Sequence, residues 1–212
     1  TRTNKLLWSE DFTNVVHVGS SSVVAAPTIT ADQATAPDGT LTADRIQIPA
    51  TSGTQFSIVS QAGIFTGFGR AASSIFVKGN GTSGTTCLAT GAALSCTCSY
   101  VAASWTRCTC DDQFYGSLQP WVFGNYSAST GGACAAASFS AVDAFIWGGQ
   151  GEMFAAAGGA TTSYIPTTTA SGIRAQDRLT FTYAPAVFTS GSIALSLDMT
   201  TAPSSFTAGG SY

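Results

Sequence analysis

No stretch of about 12 residues in this chain sets apolar side chains at i, i+3, i+4 and i+7 among good helix formers, the pattern an amphipathic helix requires. The Ala-rich pieces at 133–137 and 155–157 are short and lie against Gly. Short β-branched or aromatic runs alternate apolar with polar instead. They predict strands at 15–18, 22–25, 28–31, 42–48, 55–61, 71–78, 85–90, 94–101, 105–110, 121–126 and 141–148. Ala36-Pro37-Asp38-Gly39 sits between the third and fourth, with Pro at i+1 and Gly at i+3 of a type I turn. Many short strands with turn signals between them make an all-β fold, an antiparallel sandwich or barrel. An antiparallel β-sandwich of jelly-roll type is the first choice.

That fold fills residues 1–168. Residues 161–166 read as an extended segment and 167–172 as a linker. A short β-rich C-terminal segment completes 169–212, with strand patterns at 178–183, 192–198 and 205–208. About 40 residues cannot close a sandwich alone. They pack on the first domain, dock on a neighbouring chain, or begin a second module.

Charge narrows the partners. Only 9% of the 212 residues are charged, with eight Lys plus Arg against eleven Asp plus Glu. Eight scattered cations do not supply the basic patch that releases counterions from nucleic acid. A hydrophobic content of 44% and an aromatic content of 11% argue against disorder. No apolar run approaches the length of about 18 that spans a membrane. The first residue is Thr, with no charged and apolar leader after it, so the chain reads as a processed product or a segment of a longer protein without a signal peptide. So few charges suit a surface packed against neighbours in an assembly, or an extracellular β protein.

Three groups of residues carry a resemblance when taken in order. The first is Leu6-Leu7-Trp8-Ser9-Glu10-Asp11-Phe12-Thr13-Asn14. The second is Thr35-Ala36-Pro37-Asp38-Gly39-Thr40, continuing through Thr42-Ala43-Asp44-Arg45-Ile46. The third combines Ser73 to Lys78, Trp105-Thr106-Arg107, Ile146-Trp147-Gly148-Gly149-Gln150-Gly151-Glu152 and the stretch Ala160 to Pro166. Together they resemble the carbohydrate-binding-module-like jelly-roll domain of tailed-bacteriophage virion proteins: tail fibres, head fibres and capsid decorations. The resemblance covers about residues 5 to 168. The family usually has Ala at Gly149 and Leu at Gly151, which implies a looser last core strand here. Ile173-Arg174-Ala175-Gln176-Asp177 looks like the opening of the concanavalin or laminin-G-like module that often follows in that family. Phe12, Ile46, Phe76, Val77, Trp105 and Trp147 have the sizes and contexts of sandwich core residues, and Pro166 would fix the chain as it leaves.

The resemblance also implies a candidate structural calcium between the first and last strand regions, with Glu10, Asp11 and Asp143 as ligands. Otherwise Asp11 caps a turn and Asp143 pairs with Arg107 or another cation. No cofactor beyond this calcium is expected.

Catalytic vocabulary is sparse. His17 is the sole histidine, flanked by Val16 and Val18 and read as pointing out of a strand. No Gly-x-Ser-x-Gly nucleophile motif accompanies it. Glycoside hydrolysis needs two acids facing across a cleft, but Glu10 and Glu152 are the only Glu residues, and Asp111 and Asp112 diverge on an extended chain. Gly79-Asn80-Gly81-Thr82-Ser83-Gly84 matches G-x-G-x-x-G, but a strand pattern follows where dinucleotide binding needs a helix. It reads as a hairpin loop. No catalytic residue is assigned.

All six cysteines fall between 87 and 134. If 94–101 and 105–110 form a hairpin about Ala103, residue i faces residue 206 minus i. Cys98 then faces Cys108 and Cys96 faces Cys110, at a separation a disulfide spans. Cys87 and Cys134 are left as a third candidate pair. Free buried thiols and a metal held by the two C-x-C pairs are the alternatives. Disulfides in a phage protein, assembled in a reducing cytoplasm, would form late. Trp121, Tyr126, Phe114 and Tyr115, with Gln119 nearby, are the candidate glycan-binding patch. The alternative turns Trp121 and Phe123 together into the core.

The expected function is that of a non-enzymatic structural protein of a phage virion, acting in particle assembly, stabilisation or host attachment. Its expected partners are other virion proteins and copies of itself, with a host-surface glycan as a further candidate, and neither nucleic acid nor membrane. It would be assembled in the host cytoplasm and reside on the particle surface or tail. The alternatives are a glycan-binding module that contacts the host surface and an accessory module of a secreted polysaccharide-degrading enzyme.

Overall fold

The computed structural model describes residues 2–67, 69–90, 95–115, 119–126, 134, 138–154 and 159–174, with backbone only at 95 and 112–115. None of the described residues is helical. The strands are β1 (Arg2–Asn4), β2 (Val18–Ser22), β3 (Thr28–Ala34), β4 (Ala43–Ile48), β5 (Thr51–Ser52), β6 (Phe56–Phe65), β7 (Gly69–Gly79), β8 (Gly84–Thr90), β9 (Ser95–Tyr100), β10 (Thr106–Tyr115), β11 (Gln119–Tyr126), β12 (Ser138–Phe139), β13 (Val142–Phe154) and β14 (Gly172–Arg174).

Ten of them build two five-stranded antiparallel sheets, β10-β7-β13-β4-β3 (sheet I) and β2-β6-β11-β8-β9 (sheet II). From β6 onward the chain keeps changing sheets, with β6, β8, β9 and β11 in sheet II and β7, β10 and β13 in sheet I. The result is an antiparallel jelly-roll β-sandwich. Between the sheets lie Phe12, Ile46, Ile48, Val59, Phe65, Ile75, Val77, Leu88, Trp121, Phe123 and Ile146. The period-2 pattern is what puts them there: in β4, Asp44, Ile46 and Ile48 are buried while Arg45 and Gln47 are less so.

The turn before β4 forms as its chemistry requires. Gly39 N donates to Ala36 O at 3.0 Å, and Gly39 adopts φ +90, a conformation costly for a side chain. Asp38 Oδ1 accepts from Thr40 N and Oγ1 at 2.9 and 2.7 Å.

Several expectations are corrected. The strands expected at 15–18 and 22–25 are one strand, β2, lying between them. The G-x-G-x-x-G segment joins β7 to β8 across the two sheets, so it is a crossover rather than a hairpin loop. A Cβ on Gly79 would stand 1.6 Å from Thr82 O, which is why glycine occupies that crossover. Phe76, Trp105 and Trp147 do not enter the central core. They form a second cluster with Ala36, Ala43 and Tyr164. Phe76 and Trp147 alternate with core residues Val77 and Ile146, so this cluster covers the outer face of sheet I. β13 is not loose either. A Cβ on Gly149 would lie 2.5 Å from Leu6 Cδ2 and 3.0 Å from Phe12 Cζ, and one on Gly151 would lie 3.0 Å from Ile64 Cγ2. Large neighbours already fill the space where the family carries Ala and Leu.

The chain divides into two compact units, Thr1–Ala175 and Gln176–Tyr212. The strand patterns at 178–183, 192–198 and 205–208 lie outside the described residues. Residues 169–174, expected in the C-terminal segment, belong to the first unit.

Candidate functional site

The motifs at the two ends of the resemblance meet in one place. β1 and β14 pair antiparallel, Arg2 opposite Arg174 and Asn4 opposite Gly172. Asn4, fully buried, donates from Nδ2 to Gly149 O at 3.1 Å and to Ile165 O at 2.8 Å. Its Oδ1 accepts from Leu6 N at 3.1 Å and Gly151 N at 3.0 Å. One amide thus ties together the incoming chain, β13 and the outgoing segment.

Neighbouring side chains extend this clasp. Gln150 Oε1 accepts from Ile165 N at 2.9 Å. Glu152 accepts from Thr162 N at 2.8 Å and Thr162 Oγ1 at 2.6 Å. Tyr164 OH lies 2.6 Å from Ser9 Oγ and donates to Glu10 Oε1 at 3.0 Å. Thr167 N donates to Ser9 Oγ at 2.9 Å. The Tyr164 ring packs 4.5 Å from that of Trp147. Burial raises the Tyr164 hydroxyl pKa, so it stays protonated as a donor. Arg107 Nη2 donates to Thr162 O at 2.5 Å and to Ser74 Oγ at 2.9 Å. Burial lowers the Arg107 pKa, against the opposing pull of Glu152 and Asp111.

This clasp accounts for the two glutamates weighed for glycoside hydrolysis. Glu152 is 1% exposed and committed to Thr162. Ser9 serves Tyr164 and Thr167. His17 is a correction: it is buried rather than facing out, with Nε2 3.1 Å from Trp8 O and its ring 5.0 Å from Phe12. Burial lowers its pKa. Asp111 Oδ1 accepts from Thr161 N at 2.8 Å, and the Asp112 side chain lies outside the described residues.

The calcium ligand set does not assemble. Asp143, between buried Val142 and Ala144, projects from the outer face of sheet I. There it takes a bidentate pair from Arg45, Nε at 2.8 Å and Nη2 at 2.6 Å, and a bond from Asn80 Nδ2 at 3.2 Å. These hydrogen bonds, led by that of Arg45, hold its pKa below the ordinary value. The cation is therefore Arg45, not Arg107. Asp11 caps a turn through Thr13 N and Oγ1, at 3.1 and 2.6 Å. Among the described residues no group of three or more His, Cys, Asp or Glu side chains is placed to hold a metal. Glu10, Asp11 and Asp143 do not fit the ion.

Asp44, in β4, is a further buried acid. Its side chain points inward beside Ile46, where Oδ2 accepts from Phe12 N at 2.7 Å and Oδ1 from Asp32 N at 3.1 Å. Burial pushes its pKa up to about 6, against those two hydrogen bonds.

The glycan patch is also corrected. Trp121 is 0% exposed, with its ring 6.0 Å from Phe12 and 6.4 Å from Phe123. Tyr126 is half-buried at the end of β11 and meets Phe56 edge-on at 6.1 Å. Gln119 is half-buried at the start of β11. Phe114 and Tyr115 lie opposite Arg70 and Gly69 along β7, and their side chains are outside the described residues. The structure does not gather these five residues into one exposed platform.

The cysteines join as Cys96–Cys110, Cys98–Cys108 and Cys87–Cys134, with Cα separations of 5.4, 5.3 and 6.0 Å. The hairpin expected to align them is absent. β9 pairs with β8 and β10 pairs with β7, so β9 closes sheet II and β10 closes sheet I. The first two disulfides are rungs between the edges of facing sheets. Cys87–Cys134 packs with Phe139 in a separate small cluster.

No protein-family model matches the chain, and no curated protein sequence matches it. Solved structures similar to the chain include a phage tailspike domain and two chains that carry a CBM22-1 module. One is the enzymatically active domain of bacteriophage CBA120 tailspike protein 4, with 15% identity, TM-score 0.43, 71% of this chain covered and 21% of that one. The CBM22-1 xylan-binding domain of Paenibacillus barcinonensis Xyn10C shows 12% identity and TM-score 0.41, over 66% of this chain and 87% of that one. The CBM22-1–GH10 modules of Clostridium thermocellum xylanase 10B, complexed with xylohexaose, show 13% identity and TM-score 0.41, over 76% and 30%. The chain spans about a fifth of the tailspike domain's length.

Proposed function

We propose that this chain is a non-enzymatic structural module of a phage virion, a tail fibre, head fibre or capsid decoration acting in assembly, stabilisation or host attachment. The observation that carries the reading is the clasp. Trp8-Ser9-Glu10, the Trp147 to Glu152 stretch and the 160–166 segment, which bear the resemblance to virion jelly rolls, act together in one device. Its hydroxyls and carboxylates hold backbone in place rather than activate a nucleophile. The low charge supports the same reading, since a surface with few charged residues suits packing against other virion chains or further copies.

Immunogold microscopy of particles from the source, with an antibody raised against this chain, tests the proposal. Gold on head or tail is expected, and its position separates decoration from fibre. Particles free of gold would overturn the virion reading and leave a secreted module.

A further inference from the structure

The two rungs between β9 and β10 differ in one respect. Cys98, Cys108 and Cys110 are buried within the main core, whereas Cys96 is only partly buried at its margin. Cys87 and Cys134 are buried as well. Thiol–disulfide exchange requires a thiolate to reach a sulfur in line with the bond it breaks, so access decides where it begins. Cys96 is therefore the half-cystine best placed for attack.

Two further features favour the same rung. Cys96 is the second residue of β9, whereas Cys98 lies deeper in the strand beside buried Tyr100. Across the rung, the β10–β7 register shifts between Cys110 and Gln113, so Cys110 ends a regular stretch of pairing. Cys108 pairs regularly, opposite Ile75, with neighbours on both sides. A strand that is irregular on one side of a bond yields more readily when that bond opens.

We propose that Cys96 is the thiol-exchange site of this protein, and that its substrates are small thiols and small disulfides. A thiolate RS⁻ attacks Cys96 Sγ and breaks its bond to Cys110, whose sulfur leaves as a thiolate and takes a proton from water. A second RS⁻ attacks the R-bearing sulfur of the mixed disulfide, releasing RSSR and the Cys96 thiolate, which is protonated in turn. Two thiols are oxidised to one disulfide as one disulfide is reduced to two thiols. Closure is the reverse, with RSSR as oxidant. Cys98–Cys108 holds the sheet edges together meanwhile, so the outer rung works as a latch on a sandwich that stays folded. In a reducing cytoplasm the latch stands open, and it closes on exposure to an oxidising medium. This inference is independent of the virion reading.

The experiment is graded reduction of the full chain with reduced glutathione, followed by acid quench, alkylation and peptide mass mapping. Label is expected first at Cys96 and Cys110, with glutathione trapped on Cys96. First label at Cys98 and Cys108, or at Cys87 and Cys134, would overturn the proposal, and so would loss of all three bonds in one step. As a second measure, Cys110→Ser frees the Cys96 thiol and Cys108→Ser frees the Cys98 thiol. The first should react with an aromatic disulfide reagent at least about tenfold faster. Equal rates would overturn the assignment, and graded reduction of the unsubstituted chain decides the matter if either variant fails to fold.

Discussion

Asp44 is a buried carboxylate with two further acids, Asp11 and Asp32, close enough to add to the effect of burial, and its charge works against the fold. Its pKa is raised to about 6 from an ordinary 3.8, so the folded state holds the proton more tightly than the unfolded chain does. Its contribution is full below about pH 3.8 and is lost as pH rises through about 6. His17 has the opposite sign. Its lowered pKa contributes stability above the ordinary 6.5 that is lost as pH falls through the folded value. Denaturation curves between pH 4 and 7.5 check both. Asp44→Asn should remove a downward slope with rising pH, and His17→Gln a downward slope with falling pH. Asn4 supplies a prediction independent of pH: Asn4→Ala, which strands four buried backbone groups, should cost about 2–4 kcal/mol in urea denaturation. None of these roles was legible in the sequence. A polar residue in an alternating strand reads as the wet face, and only the fold shows which polar side chains turn inward to meet a backbone group.

At the scale of the strand, alternation located most elements, because burial of one sheet face writes a period of two into the chain. It did not say which sheet a strand joins. The cysteine register shows why. The relation of i to 206 minus i holds for any two strands that double back on each other, so it pairs the same cysteines whether the partner is beside in one sheet or across in the next. Aromatic residues were ambiguous for a related reason: Trp121 and Trp147 both lie on strands, but Trp121 faces the central core and Trp147 the outer cluster. In β13, Gly149 gives the sharpest test of packing. Gly149→Ala must displace Leu6 or Phe12 and should destabilise the protein by about 1–3 kcal/mol, read by chemical denaturation. A stabilised variant would mean that β13 has room after all.

For the whole molecule, three disulfides mean that intact protein, unreduced, is lighter than its thiol form by six hydrogens, which mass spectrometry resolves. The pairing of β1 with β14 has a different consequence. Residues 2 and 174 are opposed across one antiparallel pair, about 5 Å apart. That gap matches the two ends of a tight hairpin turn. Residues 2–174 should therefore fold when spliced into a hairpin loop of an unrelated carrier, without opening the carrier's sheet. Tension on the flanking peptides would unzip the β1–β14 pair from its outer end one hydrogen bond at a time, and the sandwich would hang beside the line of force, like a pendant on its chain.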